Sequence, residues 1–165
     1  EILKANNVKV IKLNSGGGFV YPSERIAEII IDYELDTHVD GICYSACYTI
    51  FLAGKKRSLQ RLSKIGIHQS YWDSGSMRNF YHKYKDDPEL NFTDPFDFAE
   101  WAVEDIQNDI HKEFKYQNER GVSGNFIIKT LRAGRNDMWV PTRKELISSG
   151  VINEKINDFN DRNLK

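Results

Sequence analysis

The sequence is poor in the features that mark specialised protein classes. Its 165 residues hold two cysteines, four prolines and eleven glycines, which excludes a disulfide-framed miniprotein, a collagen-like repeat and a proline-rich linker. Charge of one sign is not in excess either. The 23 basic and 24 acidic residues leave a net charge of −1 with no polybasic run and no acidic tail, so neither nucleic acid nor an anionic membrane is implied as a partner. The longest charge-free stretch, Gly41 to Gly54, falls short of the roughly 20 apolar residues that span a bilayer and reads as core, so no membrane-spanning segment is expected. No basic segment followed by an apolar one opens the chain, so no signal peptide is read in it; Glu1 leads almost at once into an apolar strand, and upstream residues are expected.

What is present suits one folded domain over residues 1–165. Hydrophobic residues make up 40% and charged residues 28%, a balance that supports a buried core. Residues 8–13, Val-Lys-Val-Ile-Lys-Leu, are rich in β-branched side chains and predict a strand. It runs into Asn14-Ser15-Gly16-Gly17-Gly18, where three glycines permit positive φ or a close approach of backbone to ligand. Pro22-Ser23-Glu24 then predicts a helix start with Ser23 as N-cap, and Ile26, Ile29, Ile30 and Tyr33 recur at helical spacing. A strand from Thr37 to Ile42 and an apolar helix from Ser45 to Ala53, stopped by Gly54, repeat the order. Lys55-Lys56-Arg57 reads as a solvated cluster, and Ser58 to Leu62 and Ile65 to His68 as two further strands. This alternation predicts an α/β fold with a largely parallel sheet.

Residues 70–94 are polar and aromatic without a clear period, and read as a lid or an assembly arm. From Pro95 to Arg120 the positions Ala99, Ala102, Val103, Ile106, Ile110 and Phe114 mark a long amphipathic helix that ends at Gly121. Further helices are expected over residues 123–133 and 142–149, with an extended piece over 137–140.

Three polar residues stand where chemistry is plausible. Ser45 opens a helix directly after a strand, near unsatisfied backbone N–H groups that favour a developing oxyanion. In a parallel sheet the carboxyl ends of adjacent strands share one rim, so the glycine turn and Ser45 belong together. His68 ends the strand Ile65-Gly66-Ile67-His68 at a place suited to a general base. Asp137, at the start of the extended piece, is the acceptor chosen to hold that base. Each also has a plain structural reading: an N-cap serine, a strand-end histidine, a solvated turn aspartate. The order Ser, His, Asp matches neither the chymotrypsin-like, the subtilisin-like nor the α/β-hydrolase order, and no G-x-S-x-G motif occurs.

Together these segments resemble the proteolytic subunit of the Clp protease and its relatives in the ClpP/crotonase fold. Leu13-Asn14-Ser15-Gly16-Gly17-Gly18 is similar to that family's apolar-N-S-P-G-G turn, Gly41 to Ala46 to its G-x-x-x-S-x nucleophile turn, and Ile67-His68-Gln69 to its I-H-Q motif. Asp137, followed by Trp139-Val140, Glu145-Leu146 and Gly150-Val151-Ile152, is similar to the segment with the family's triad aspartate. The wording Cys-x-Ser-Ala-Cys and Phe-Leu-Ala-Gly resembles most a group of bacterial ClpP-like proteins, often exported.

The resemblance implies a serine peptidase acting on peptide or protein substrates through an acyl-enzyme. Ser45 would be the nucleophile, His68 the base and Asp137 its orienter, with Asn136 the alternative. The N–H groups of Gly18 and Ala46 would form the oxyanion hole, and Gly17 and Phe19 would border the bound peptide. It implies no cofactor and no metal, a homo-oligomer, and a periplasmic or exported location with a cytoplasmic one as alternative. The family's first strand and helix have no counterpart here, and Gly16 replaces its proline. A non-catalytic peptide-binding or assembly module is the rival reading, and an acyl-CoA enzyme of the crotonase type a further one. Cys43 and Cys47 flank Ser45. A cytosolic setting makes them small buried hydrophobes and an exported one allows a disulfide. A Cys-His hydrolase using either is a minor alternative, and a zinc site lacks a matching histidine pair.

Overall fold

The central strand of the sheet buries three consecutive residues, Thr37, His38 and Val39, as a parallel strand covered on both faces does. In the computed structural model, which describes Leu3 and residues 6–154, four strands form one sheet. They are β1 (Val10–Ser15), β2 (Asp36–Tyr44), β3 (Arg57–Leu59) and β4 (Lys64–Gly66). β2 pairs with β1 along one edge, and with β3 and then β4 along the other, all in parallel. The helices are α1 (Val20–Asp32), α2 (Ala46–Leu52), α3 (Ser74–Tyr84), α4 (Pro95–Glu119), α5 (Gly124–Thr130) and α6 (Arg143–Ser148). The expected α/β architecture is therefore the observed one. The extended piece after α5 contributes an antiparallel bridge, Ile67 to Trp139.

The main core joins β2, β4 and α2 to α5 and α6 through Val39, Phe51, Leu52, Ile65, Phe126, Leu146 and Val151. A smaller cluster of Ala27, Ile30, Leu35 and Ala53 seats α1. The β1–β2 register slips at Asn14, where Leu13 pairs with Val39 but Ser15 with Cys43. The Asn14 side chain fills the bulge: its Oδ1 accepts the Ile42 N–H at 3.1 Å. Gly41, at φ 118°, has no room for a Cβ beside that amide.

Several sequence expectations need correction. Ser23 is not the N-cap of α1, which begins three residues earlier; it is buried inside the helix and its Oγ donates to the Val20 carbonyl at 2.6 Å. Arg57 is 3% exposed and not part of a solvated cluster. Residues 70–94, read without a period, hold a helix, α3, which Asp73 caps by accepting the Gly75 and Ser76 N–H groups. The face of α4 also differs. Phe98, Ala102 and Gln117 are its buried residues, while Ala99 and Val103 face outward because the first turns pack against the arm. There Phe92, Phe98 and Ala102 join Phe80, Tyr84 and Trp101 in a separate aromatic cluster.

Candidate active site

A strand that must turn directly into a helix places its junction residue in an unusual conformation. Ser45, between β2 and α2, takes φ 54° and ψ −128°, a region that costs a non-glycine residue about 1–3 kcal/mol. Two backbone hydrogen bonds hold it: its N–H donates to the Gly66 carbonyl at 2.9 Å, and its own carbonyl accepts from Tyr48 at 2.8 Å. Its hydroxyl does not cap α2. The usual N-cap role is thus not the one this serine fills.

The disulfide Cys43–Cys47 encloses this turn, with Cα atoms 5.2 Å apart. The two cysteines are buried, as the cytosolic reading has them, but they are not free thiols. A cysteine nucleophile is thereby excluded for this state, since neither sulfur carries a thiolate.

The glycine turn closes against Ser45. Gly17, at φ 108°, lies so near that a Cβ there would stand 2.7 Å from the Ser45 Cβ and 2.7 Å from the Tyr44 carbonyl. Its N–H donates to the Ser15 hydroxyl at 3.2 Å. Gly18 and Ala46 follow on the two sides of the junction, and among the described residues neither N–H meets an intramolecular acceptor. Phe19 is 85% exposed at the rim.

Ser45, Ala46, Gly18, Phe19 and His68 line one cavity of about 650 Å³. Its walls are α1 through Ser23, Glu24, Ala27 and Glu28, α2 through Tyr48 and Thr49, and α4 through Asp109, Lys112, Glu113 and Tyr116. His68 enters from the segment after β4, beside Tyr71. Its Nδ1 lies 2.7 Å from the Gln69 carbonyl oxygen. A carbonyl only accepts, so the neutral ring carries its proton on Nδ1 and leaves Nε2 as an acceptor. No hydrogen bond joins Ser45 to His68 among the described residues.

Asp137 is not brought to this cavity. Its carboxylate is exposed and accepts the Met138 N–H at 2.8 Å, while its own N–H donates to Gly134. Asn136 is exposed as well. The structure thus groups Ser45, His68, Gly17, Gly18, Ala46 and Phe19, and leaves the third triad candidate outside.

Sequence reasoning missed the far wall. Tyr48 donates to Gln117 Oε1 at 3.1 Å, and Gln117 Nε2 donates to Glu113 Oε1 at 3.3 Å, a buried relay that ends in the cavity. Burial first and then neighbouring Asp109 raise the Glu113 carboxyl above its usual range; the same causes raise that of Glu24. A glutamine on the inward side of an otherwise amphipathic helix was the available signal. Among the described residues no group of three His, Cys, Asp or Glu side chains is arranged to hold a metal ion, and no helix is long and apolar enough to cross a membrane.

No protein-family model matches the chain, and no curated protein sequence matches it. Solved structures do. A ClpP1 mutant from Listeria monocytogenes superposes with a TM-score of 0.62 at 21% identity, over 88% of this chain and 71% of that one. A peptidase from Plasmodium falciparum gives a TM-score of 0.62 at 18% identity, over 93% and 81%. The chain therefore has a ClpP-like α/β fold.

Proposed function

We propose that this ClpP-like domain is a serine hydrolase, a peptidase that forms an acyl-enzyme at Ser45. One observation carries the reading: Ser45, held in a strained strand-to-helix turn with its hydroxyl not spent on capping, opens into the same cavity as His68 and the free N–H groups of Gly18 and Ala46. In the proposed reaction Ser45 Oγ attacks the scissile carbonyl carbon while its proton passes to His68 Nε2. The carbonyl electron pair moves to oxygen, where the Gly18 and Ala46 N–H groups stabilise it; such donors are worth roughly 3 to 4 kcal/mol each. Collapse breaks the C–N bond, the leaving amine takes the proton from Nε2, and water then releases the acyl group by the same route. The glycine turn, with Gly17 and Phe19, would border an extended peptide. No cofactor or metal is needed.

Asp137 takes the third place on the resemblance alone, with Asn136 as alternative. In the present conformation the Gln69 carbonyl orients His68, so an Asp137 role requires the turn at residues 134–138 to move. Exposed Tyr21, Ile26 and Ile29 on α1 support assembly into a homo-oligomer, and the disulfide supports an oxidising, exported setting. The absence of a Ser45–His68 hydrogen bond favours a second reading, a peptide-binding module without catalysis.

Intact-mass labelling with a fluorophosphonate separates the two. A single adduct is expected on the protein and none on Ser45→Ala or His68→Ala. Well-folded protein that takes no adduct would overturn the hydrolase reading, as would an adduct that survives Ser45→Ala.

A further inference from the structure

We infer that the Cys43–Cys47 disulfide is the positioning element of the nucleophile turn: it holds Ser45 in the strained conformation that presents its hydroxyl to the cavity. The inference deepens the reading of Ser45 as nucleophile and rests on it for the reactivity arm of the test alone.

The crosslink joins the two fixed ends of the turn. Cys43 lies in β2, in register with Ser15 on one side and Ile65 on the other, and Cys47 lies in the first turn of α2. They are 0% and 2% exposed, within the main core. Ser45 stands midway between them at φ 54° with no side chain capping α2; besides the disulfide, two backbone hydrogen bonds and the packing of Gly17 against its Cβ hold it among the described residues. A closed loop this short removes little entropy from the unfolded chain. The bond therefore acts mainly on the local conformation and only modestly on overall stability. Its burial keeps it from soluble reductants while the domain stays folded. Forming it removes two electrons and two protons from the Cys43 and Cys47 thiols, delivered through a mixed disulfide to a disulfide oxidant that leaves as a dithiol.

The test compares the protein with Cys43→Ala/Cys47→Ala, and with Cys43→Val/Cys47→Ala should the first variant not fold. Two quantities are read: hydrogen exchange of the Ser45 amide by NMR, and the rate of fluorophosphonate labelling against probe concentration. The Ser45 amide is expected to exchange at least about tenfold faster in the variant while Val39 in β2 keeps its protection. The maximal labelling rate is expected to fall at least about tenfold with little change in the half-saturating probe concentration, a split that lost stability alone does not produce. An unchanged Ser45 amide overturns the inference whatever the labelling does, and so does a loosened amide with unchanged labelling. If the unaltered protein takes no label, the hydrolase reading fails by itself, and amide exchange alone still decides whether the disulfide holds the turn.

Discussion

Gly17 and Ser45 occupy neighbouring space at the rim of the sheet, and glycine is required at position 17 for two separate reasons. Its φ of 108° disfavours any L side chain, and a Cβ would overlap both the Ser45 Cβ and the Tyr44 carbonyl at 2.7 Å. Gly18 is different, since a Cβ there meets nothing within 4 Å and alanine would keep its N–H. Gly17→Ala is accordingly expected to lower both the melting temperature and the fluorophosphonate labelling rate, the latter by more than about tenfold, while Gly18→Ala keeps a melting temperature close to that of the unaltered protein; equal losses of melting temperature in the two would refute this account of the turn. At this scale the sequence is informative where one residue type has one physical use. Three successive glycines after a strand, a serine opening an apolar helix and a strand-end histidine all stand where their pattern placed them. Asp137 lies outside the cavity in this conformation, and nothing local decides where an exposed turn aspartate points. The cysteine pairing was undecided because a spacing of four residues suits two buried thiols as well as a disulfide.

The element that fixes the nucleophile, α2, has only seven residues and relies on neighbours to satisfy its C-terminal carbonyls. Two guanidinium groups do so. Arg57 donates to Leu52 and Gly54, and also to Arg120, Gly150 and Val151, while Arg120 donates to Leu52, Ala53 and Gly54. Both cations lie at the negative end of the helix dipole. Burial first and the neighbouring Arg120 second lower the Arg57 pKa, yet every N–H it presents is matched by a carbonyl. Arg57→Leu should cost about 3 kcal/mol or more in urea unfolding, and Arg57→Lys a large part of that, because one ammonium cannot reach carbonyls spread over such a fork; a loss below about 1 kcal/mol would refute this role. In sequence Arg57 is the third of three successive cations and reads as surface, since a buried guanidinium facing only carbonyls leaves no charge partner to find. The α3 arm was missed for a related reason. Its apolar residues serve a local aromatic cluster with α4, so they follow no period set by the main core, although Asp73-Ser74-Gly75-Ser76 carried a legible N-cap.

Across the whole molecule α4 links two packing units. Its first turns belong to the aromatic cluster, its last turns reach the main core through Phe114 and Tyr116, and the stretch between carries Asp109, Lys112 and Glu113 along the cavity wall. Facing them from α1 are Glu24 and Glu28, so four carboxylates and one ammonium meet across a partly dehydrated space. Glu113 bears most of the consequence, being more deeply buried than Glu24. Its carboxyl holds a proton more tightly in the folded chain than in the unfolded one, through burial and then the charge of Asp109, against the opposing hydrogen bond from Gln117. The sign follows from proton linkage: its contribution to stability is fully present below its ordinary value of 4.5 and is lost as pH rises through the raised folded value. Glu113→Gln keeps an oxygen for the Gln117 amide and stays neutral at every pH. The variant should match the unaltered protein in urea at about pH 4 and exceed it at about pH 8. A stability difference of the same size at both values would show that the cavity wall does not hold Glu113 in the environment described.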